Sequence, residues 1–294
     1  MKPAITILGA GRMGSALARA LARAGHETTI WNRSREKALA LADDGVRVAE
    51  TLFEAVSASG VIVVNVTDYA ATKALLRQPG VAEILSGKLI LDLTSGTPEG
   101  AREAGRWTEA QGAHYLDGAI LASPDFIGTE AGTILVSGPK DLFEASGDWL
   151  AAFGGNVKHT GDEIGLANAL DSAVLSLMWG ALFGALTSIA VCEAENIAVD
   201  ELARQWRATA PVVDGLVANL IERTAAGRFK ADAETLATVS PHVSTFRYLR
   251  ELIDAHGIDA TIADGQAAIF DKAIAAGHID DDFAILSRFM KKAQ

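Results

Sequence analysis

Gly9-Ala10-Gly11-Arg12-Met13-Gly14 places three glycines at the spacing that lets a backbone wrap a pyrophosphate. Gly9 suits a tight turn, Gly11 a close backbone approach, and Gly14 close packing of a helix on a strand. The helix that follows offers amide donors and partial positive charge to phosphates. The string alone is weak, and a glycine-rich turn that binds nothing is the alternative. Here it follows the apolar run Ala4–Leu8 and opens the alanine-rich stretch Ser15–Ala24. That strand–turn–helix context is the one in which it holds a dinucleotide. About 20 residues on, where an NAD enzyme sets an acid on the ribose 2′-hydroxyl, the chain reads Trp31-Asn32-Arg33-Ser34-Arg35-Glu36-Lys37. No acid stands at Asn32. Arg33 offers a planar guanidinium to a 2′-phosphate, Ser34 a hydroxyl, and Lys37 further charge one turn on. Arg35 and Glu36 read as a solvated helix start. The cofactor expected is NADPH, held by Gly9, Ala10, Gly11, Arg12, Met13, Asn32, Arg33, Ser34 and Lys37.

The elements that must position these groups follow from the pattern of apolar runs. Ala4–Leu8, Glu27–Trp31, Val61–Val66, Leu89–Leu93, His114–Leu116 and Thr133–Val136 read as strands, with helical stretches such as Ser15–Ala24 and Arg35–Asp43 between them. Strands alternating with helices imply βαβ units and a mainly parallel sheet. After about residue 160 helical periodicity takes over. The fold class expected is therefore α/β followed by all-α. Residues 1–162 form the nucleotide-binding domain and 163–294 a helical domain, opened by a long helix over about 163–193.

At 294 residues, two domains are expected, and 49% apolar content is enough to build their cores. Against 26 Lys and Arg stand 37 Asp and Glu, a net charge of −11 with no basic block, which disfavours nucleic acid and anionic membranes as partners. The single Cys192 allows no internal disulfide, the six histidines sit at no metal-ligand spacing, and no signal-peptide layout opens the chain. A cytoplasmic protein without a metal is expected. Neither a Gly-x-Ser-x-Gly turn nor a P-loop lysine is present, which removes those hydrolase classes. Residues 172–192 carry no charge and are long enough to cross a membrane. Acidic flanks (Asp162, Glu163, Glu193, Glu195), with Asp171 and Ser172 at the start, favour a soluble helix instead. Covering about 30 Å of such helix on all sides calls for a second copy of the chain, so an obligate homodimer is expected.

The chain resembles the imine reductases and reductive aminases of the β-hydroxyacid dehydrogenase superfamily, nearly end to end. The resemblance is carried by Gly9–Gly14, Trp31-Asn-Arg-Ser34, Leu93-Thr-Ser-Gly-Thr-Pro98, Tyr115-Leu-Asp-Gly-Ala-Ile120, Pro124 with Ile127-Gly128, Gly165 through Asp171, and Gly277-His-Ile-Asp280. Asp117-Gly-Ala-Ile-Leu-Ala-Ser stands where β-hydroxyacid dehydrogenases carry Asp-Ala-Pro-Val-Ser-Gly-Gly, which points to the imine-reducing branch. The resemblance implies a Rossmann domain, a long interdomain helix, and a helical domain exchanged between two subunits. It also implies Val66, Thr67, Thr94 and Ser95 near the nicotinamide and its ribose. For Thr94–Pro98, capping of the helix that starts near Pro98 stays open as a second reading.

In carbonyl-reducing relatives a lysine stands six residues after the glycine that begins this helix; here that position after Gly165 is Asp171. A ketone needs a proton donor at its developing alkoxide, whereas a protonated imine is already cationic and is drawn by a carboxylate. At about 4 Å and an effective dielectric of about 20, reversing the sign of this charge changes the interaction by several kcal/mol. Asp171 is thus the catalytic candidate, with a helix-start acid near the dipole as the bland alternative. At about 100° per residue, Leu175, Met178 and Leu182 share its face and Trp179 lies about 80° round, which makes these four the candidate substrate pocket. Trp179 falls near the tyrosine usual in the family, and its indole cannot serve as a phenolic acid. Wall of a pocket, seat for a cation and plain packing are its open readings. Trp206, Phe246 and His242 are weaker candidates to line the partner's pocket. The leading reading is NADPH-dependent reduction of imines to amines, extending to reductive amination of ketones. The alternatives are an NADP-dependent β-hydroxyacid-type carbonyl dehydrogenase and a non-catalytic NADP-binding sensor.

Overall fold

The computed structural model describes residues 2–291. Short strands alternate with helices: β1 (Ile5–Leu8), α1 (Arg12–Arg23), β2 (Thr28–Trp31), α2 (Arg35–Leu39), β3 (Arg47–Val48), α3 (Leu52–Ser57), β4 (Val61–Val64), α4 (Tyr69–Leu76), β5 (Leu89–Asp92) and α5 (Pro98–Ala110). There follow β6 (His114–Ile120), β7 (Thr133–Ser137), α6 (Lys140–Ala145), α7 (Gly147–Leu150) and β8 (Asn156–His159). The eight strands form one sheet in the order β3-β2-β1-β4-β5-β6-β7-β8, parallel except for the β6–β7 pair. Strands covered on both faces must be apolar throughout, and Ile5, Ile7, Leu8, Ile62, Val63 and Val64 are all fully buried. On α1 the buried Gly14, Leu17, Ala18 and Leu21 recur every three or four residues, so one stripe faces the sheet.

Several bounds differ from the sequence reading. Helix α1 starts at Arg12, directly on the glycine turn, rather than at Ser15. The run expected as helix over Arg35–Asp43 ends at Leu39; a 3-10 turn over Ala42–Asp44 and left-handed Gly45 (φ 77°) redirect the chain into β3. Strands β3 and β8 were not expected. Both are flanking strands without a continuous apolar run, exposed or half-buried along their length.

The chain divides into two compact units, Met1–Leu177 and Met178–Gln294. The first continues past the sheet because the opening of α8 (Leu166–Ala194) packs on it: Ala167 is fully buried in a cluster with Ala119 and Leu135. Gly165 makes that approach possible. It adopts φ +92°, and a Cβ there would lie 2.6 Å from the Pro98 carbonyl oxygen. The second unit comprises the rest of α8 with α9 (Val199–Ala225), α10 (Val239–Ala255), α11 (Thr261–Ala275) and a 3-10 segment Phe283–Phe289. Its own core gathers Val239, Val243, Ala273, Ile285 and Leu286. Buried Arg223 on α9 ties the loop that follows this helix to the segment before Phe283–Phe289, pairing with Asp232 at 3.0 Å and Asp282 at 2.9 Å. The uncharged part of α8 is the exception to burial: Leu177, Trp179, Leu182, Phe183 and Leu186 all lie exposed on the single chain.

Candidate functional site

The sheet order reverses at the β1/β4 junction, where a crevice opens beyond the carboxyl ends of the strands. Gly9 and Asn65, the first residues after those strands, meet there so closely that a Cβ on Gly9 would lie 2.1 Å from the Asn65 carbonyl oxygen. Gly9 also holds φ +114°, and a Cβ on Gly14 would strike the Gly9 carbonyl oxygen at 2.1 Å. A Cβ on Gly11 would meet no protein atom within 4 Å; it would project into open space. Two glycines are thus spent on protein packing and one keeps the way clear at the start of α1.

The space so kept is a cleft of about 600 Å³ lined by Gly9, Gly11, Arg12 and Met13 from the first turn and by Asn32, Arg33, Ser34 and Lys37 from the second. Val66 and Thr67 after β4 line it as well, as do Asn65, Asp68 and Leu75, which the sequence did not single out. Asp68 is found there because it caps α4, its side chain accepting from the Ala71 amide at 2.8 Å. Asn32 spans the cleft floor: its Oδ1 accepts from the Ala10 amide at 3.0 Å and its Nδ2 donates to the Ser34 carbonyl at 2.9 Å. It therefore braces the two loops against each other. Arg35 is paired with Glu50 at 3.1 Å, as a solvated helix start should be. Among the described residues Arg33 and Lys37 have no ion-pair partner, and the Ser34 side chain makes no capping hydrogen bond to α2. Two free cations and a free hydroxyl with no carboxylate at Asn32 fit a phosphorylated ribose. An amide-lined turn cleared by Gly11 fits a pyrophosphate. Ala10 lies in an adjoining groove of about 620 Å³ with Arg12, Arg19 and Arg23.

Beyond β5 the loop Thr94–Thr97 takes a different part from the cleft. Thr94 is fully buried, its Oγ1 accepting from the Val66 amide at 3.3 Å, so it supports the Val66–Thr67 turn from beneath. Ser95 is exposed. Neither lines the cleft. Capping of α5 falls to Thr97, whose Oγ1 accepts from the Gly100 amide at 3.1 Å with Pro98 at the first helical position.

A buried polar cluster ties this loop to the start of α8. Tyr69 Oη donates to Asp117 Oδ1 at 2.6 Å, and Asn168 Nδ2 lies 2.8 Å from the same oxygen and 2.9 Å from Tyr69 Oη. Asn168 Oδ1 accepts from the Gly96 amide at 3.1 Å. Ser137 Oγ donates to Asp117 Oδ2 at 3.2 Å and accepts from the Ala167 amide at 3.1 Å. Burial pushes the Asp117 carboxyl above the usual carboxylate range, opposed by these donors. Burial, reinforced by Asp117 and Asp92, pushes the Tyr69 phenol far up, so it serves as a donor throughout the accessible pH range. Nothing in the local sequence announces the cluster, since Tyr69 and Asp117 are 48 residues apart and Asp117 and Asn168 51.

Asp171 stands one turn after Asn168 on α8. It is half-buried, desolvation raises its carboxyl above the ordinary value, and among the described residues it has no ion-pair partner. Leu175 follows it in the first unit. Met178, Trp179 and Leu182 continue the helix in the second unit as exposed side chains, Trp179 with its ring centroid 6.5 Å from that of Phe183. In that second unit His242 and Phe246 line an apolar groove of about 1110 Å³, whereas Trp206 is exposed and outside it.

With this geometry in view, comparison with known proteins separates the two halves cleanly. Residues 4–161 match the NAD binding domain of 6-phosphogluconate dehydrogenase, and residues 163–292 the C-terminal domain of the NADPH-dependent reductive aminase-like type. An imine reductase from Myxococcus stipitatus, solved with NADP+, is 45% identical over 98% of this chain and 100% of its own, with a TM-score of 0.93. A reductive aminase from Aspergillus terreus, solved with NADPH4, cyclohexanone and allyl amine, is 29% identical over 99% of this chain and 100% of its own, TM-score 0.86. An NADPH-dependent reductive aminase from Aspergillus oryzae is 34% identical over 192 residues, a segment covering 65% of this chain and 64% of that protein.

Proposed function

The chain belongs to the imine reductase and reductive aminase family, and from that premise we propose that it reduces imines to amines with NADPH, including imines formed from a ketone and an amine. The cleft would hold NADPH, which when bound would supply hydride for the carbon of the C=N bond. Gly9, Gly11, Arg12 and Met13 would hold its pyrophosphate, Arg33, Ser34 and Lys37 its 2′-phosphate, and Val66 and Thr67 would border its nicotinamide half. Asn32 keeps the two phosphate loops in register, and Thr94 keeps the Val66 turn in place.

The observation that carries the reading is a half-buried carboxylate with no cation of its own, Asp171, one helical turn from the residue that grips the Thr94–Gly96 loop. A desolvated anion favours a positive neighbour, and a protonated imine is one. Asp171 would draw that cation in, orient it, and hold a proton at the substrate nitrogen. At about 4 Å and an effective dielectric of about 20, the attraction is about 4 kcal/mol. The experiment is NADPH consumption with a small cyclic imine beside NADP reduction with a 3-hydroxy acid. Turnover of the imine alone is expected. Turnover of the hydroxy acid alone would point to a carbonyl dehydrogenase, and turnover of neither to a sensor. Asp171→Ala should lower kcat on the imine at least tenfold while NADPH affinity stays within about threefold; unchanged kcat rejects the role.

The uncovered α8 and the apolar groove of the helical unit support a homodimer in which a second copy covers both, with helical domains exchanged. A helix apolar all round either meets another protein surface or enters a membrane. The groove favours the first, since it gives such a helix somewhere to go within the same species of molecule. A cytoplasmic dimer accords with the free Cys192 and with a supply of NADPH. Light scattering after size exclusion should give the dimer mass without detergent; a detergent requirement would favour a membrane instead.

A further inference from the structure

Asn168 is fully buried, and its side chain spends every hydrogen-bonding atom on the first unit. Its Oδ1 accepts from Gly96 in the loop after β5, and its Nδ2 reaches Asp117 on β6 and Tyr69 on α4. The neighbouring Ala167 amide, one of the donors a helix start leaves open, is taken by Ser137 on β7. Two consecutive residues of α8 are thus fixed to β6, β7, α4 and the loop after β5. No basic side chain pairs with Asp117 or Asp92 among the described residues, so the cluster is held by neutral donors around one carboxylate. Tyr69, Tyr115, Asp92 and Asp117 are its titratable members, from α4, β6 and β5, and Asp171 is the titratable group of the same helix end. Three residues separate Asn168 from Asp171, which on a helix is about 4.5 Å of rise and about 60° of rotation. Any loosening at Asn168 is carried directly into the setting of the Asp171 carboxylate.

We infer that Asn168 is a positioning residue for imine reduction: by clamping the start of α8 to Asp117, Tyr69 and the Gly96 amide, it sets the angle at which Asp171 is presented relative to the Thr94–Gly96 loop. The inference rests on the reading of Asp171 as the group that meets the substrate cation. Displacement of a reacting group by about 1 Å can cost about 100-fold in rate, so a clamp made of three hydrogen bonds to three separate elements is matched to the task. Capping alone would require the Ala167–Ser137 bond only, and would not require Asn168 to reach across to the loop after β5.

The test is a double-mutant cycle. Asn168→Ala should lower kcat on a cyclic imine by about 10- to 100-fold while the NADPH dissociation constant, read from cofactor fluorescence, moves by less than about threefold. In an Asp171→Ala background the same change should cost less than about threefold, because its effect passes through Asp171. An equal loss in both backgrounds overturns the inference and leaves Asn168 as a packing residue. Asn168→Asp supplies an independent readout. Its carboxyl would sit beside Asp117, donating one hydrogen bond to it when protonated and repelling it when ionised. The ratio of its kcat to that of the wild type should therefore rise as pH falls; a ratio that does not change with pH overturns the inference. Full activity in Asp171→Ala would refute the carboxylate reading itself. Full activity in Asn168→Ala beside a crippled Asp171→Ala would refute only the positioning role.

Discussion

Asp92 ends β5 fully buried, with its Oδ1 accepting from the Thr94 amide at 3.1 Å and Oδ2 3.4 Å from Tyr115 Oη. Desolvation raises its carboxyl from 3.8 to about 7. The folded state therefore binds this proton more tightly than the unfolded chain does. Below pH 3.8 both states are protonated and Asp92 carries no penalty. From there to about pH 7 the unfolded chain ionises first, and the fold loses stability at about 1.4 kcal/mol per pH unit. Above pH 7 the loss levels off at about 4 kcal/mol, the product of that slope and a gap of about three units. Asp92→Asn keeps the shape and the acceptor for Thr94, and its amide donates to Tyr115 Oη. Urea unfolding at pH 4 should find variant and wild type within about 1 kcal/mol. At pH 8 the variant should be more stable by about 4 kcal/mol, with the difference growing between those limits. A difference that does not change with pH, or a variant less stable at pH 8, would refute the assignment of a buried protonated acid.

Other consequences of the geometry are equally direct. Arg33→Ala removes an unpaired guanidinium from the second loop of the cleft; kcat/KM for NADPH should fall about 10- to 100-fold, the worth of one charge-assisted hydrogen-bonded contact, while that for NADH hardly moves. Gly11→Ala and Gly14→Ala should separate binding from folding. A Cβ on Gly11 meets no protein atom, so its variant should keep the wild-type Tm and lose NADPH affinity; a Cβ on Gly14 falls 2.1 Å from the Gly9 carbonyl oxygen, so its variant should lose Tm. Leu186→Lys places a charge on the exposed apolar length of α8. Light scattering should then report monomer in place of dimer, and imine reduction should fall with it.

Legibility in the sequence followed locality. The Gly9–Gly14 turn and the Asn32–Lys37 loop each complete their chemistry within a few residues, and both arrive together in one cleft. The six central strands were readable because each is short, mostly buried and built around apolar or β-branched residues. β3 and β8 were not, because Arg47–Val48 and Asn156–His159 flank the sheet and bury too little to need such a run. The Tyr69–Asp117–Asn168 cluster is assembled from three distant segments by the sheet itself, so no spacing rule announces it. Asn32 shows the same limit on a smaller scale. Its position marked it as a cofactor contact, and it does line the cleft, but nothing in the sequence announced that its amide also braces Ala10 and Ser34.

On the reading proposed for Asp171, the sheet also explains how a chain of net charge −11 would serve two ligands of opposite sign. The free cations of the cleft follow β2, and the cluster that sets the start of α8 sits at β5 and β6. In the order β2-β1-β4-β5-β6 those positions are three to four strand spacings apart, about 14–19 Å. With a Debye length of about 8 Å at physiological salt, a carboxylate at the α8 end takes little from the attraction of Arg33 and Lys37 for a phosphate. The cations in turn barely repel a positive substrate at Asp171. An extended dinucleotide lying across the carboxyl ends of the strands would place its phosphates at one pole and its nicotinamide at the other. Adding an acid on the β2 side, as Asn32→Asp does, should thus damage NADPH binding without improving imine turnover, because charge at that pole is felt mainly by the phosphate.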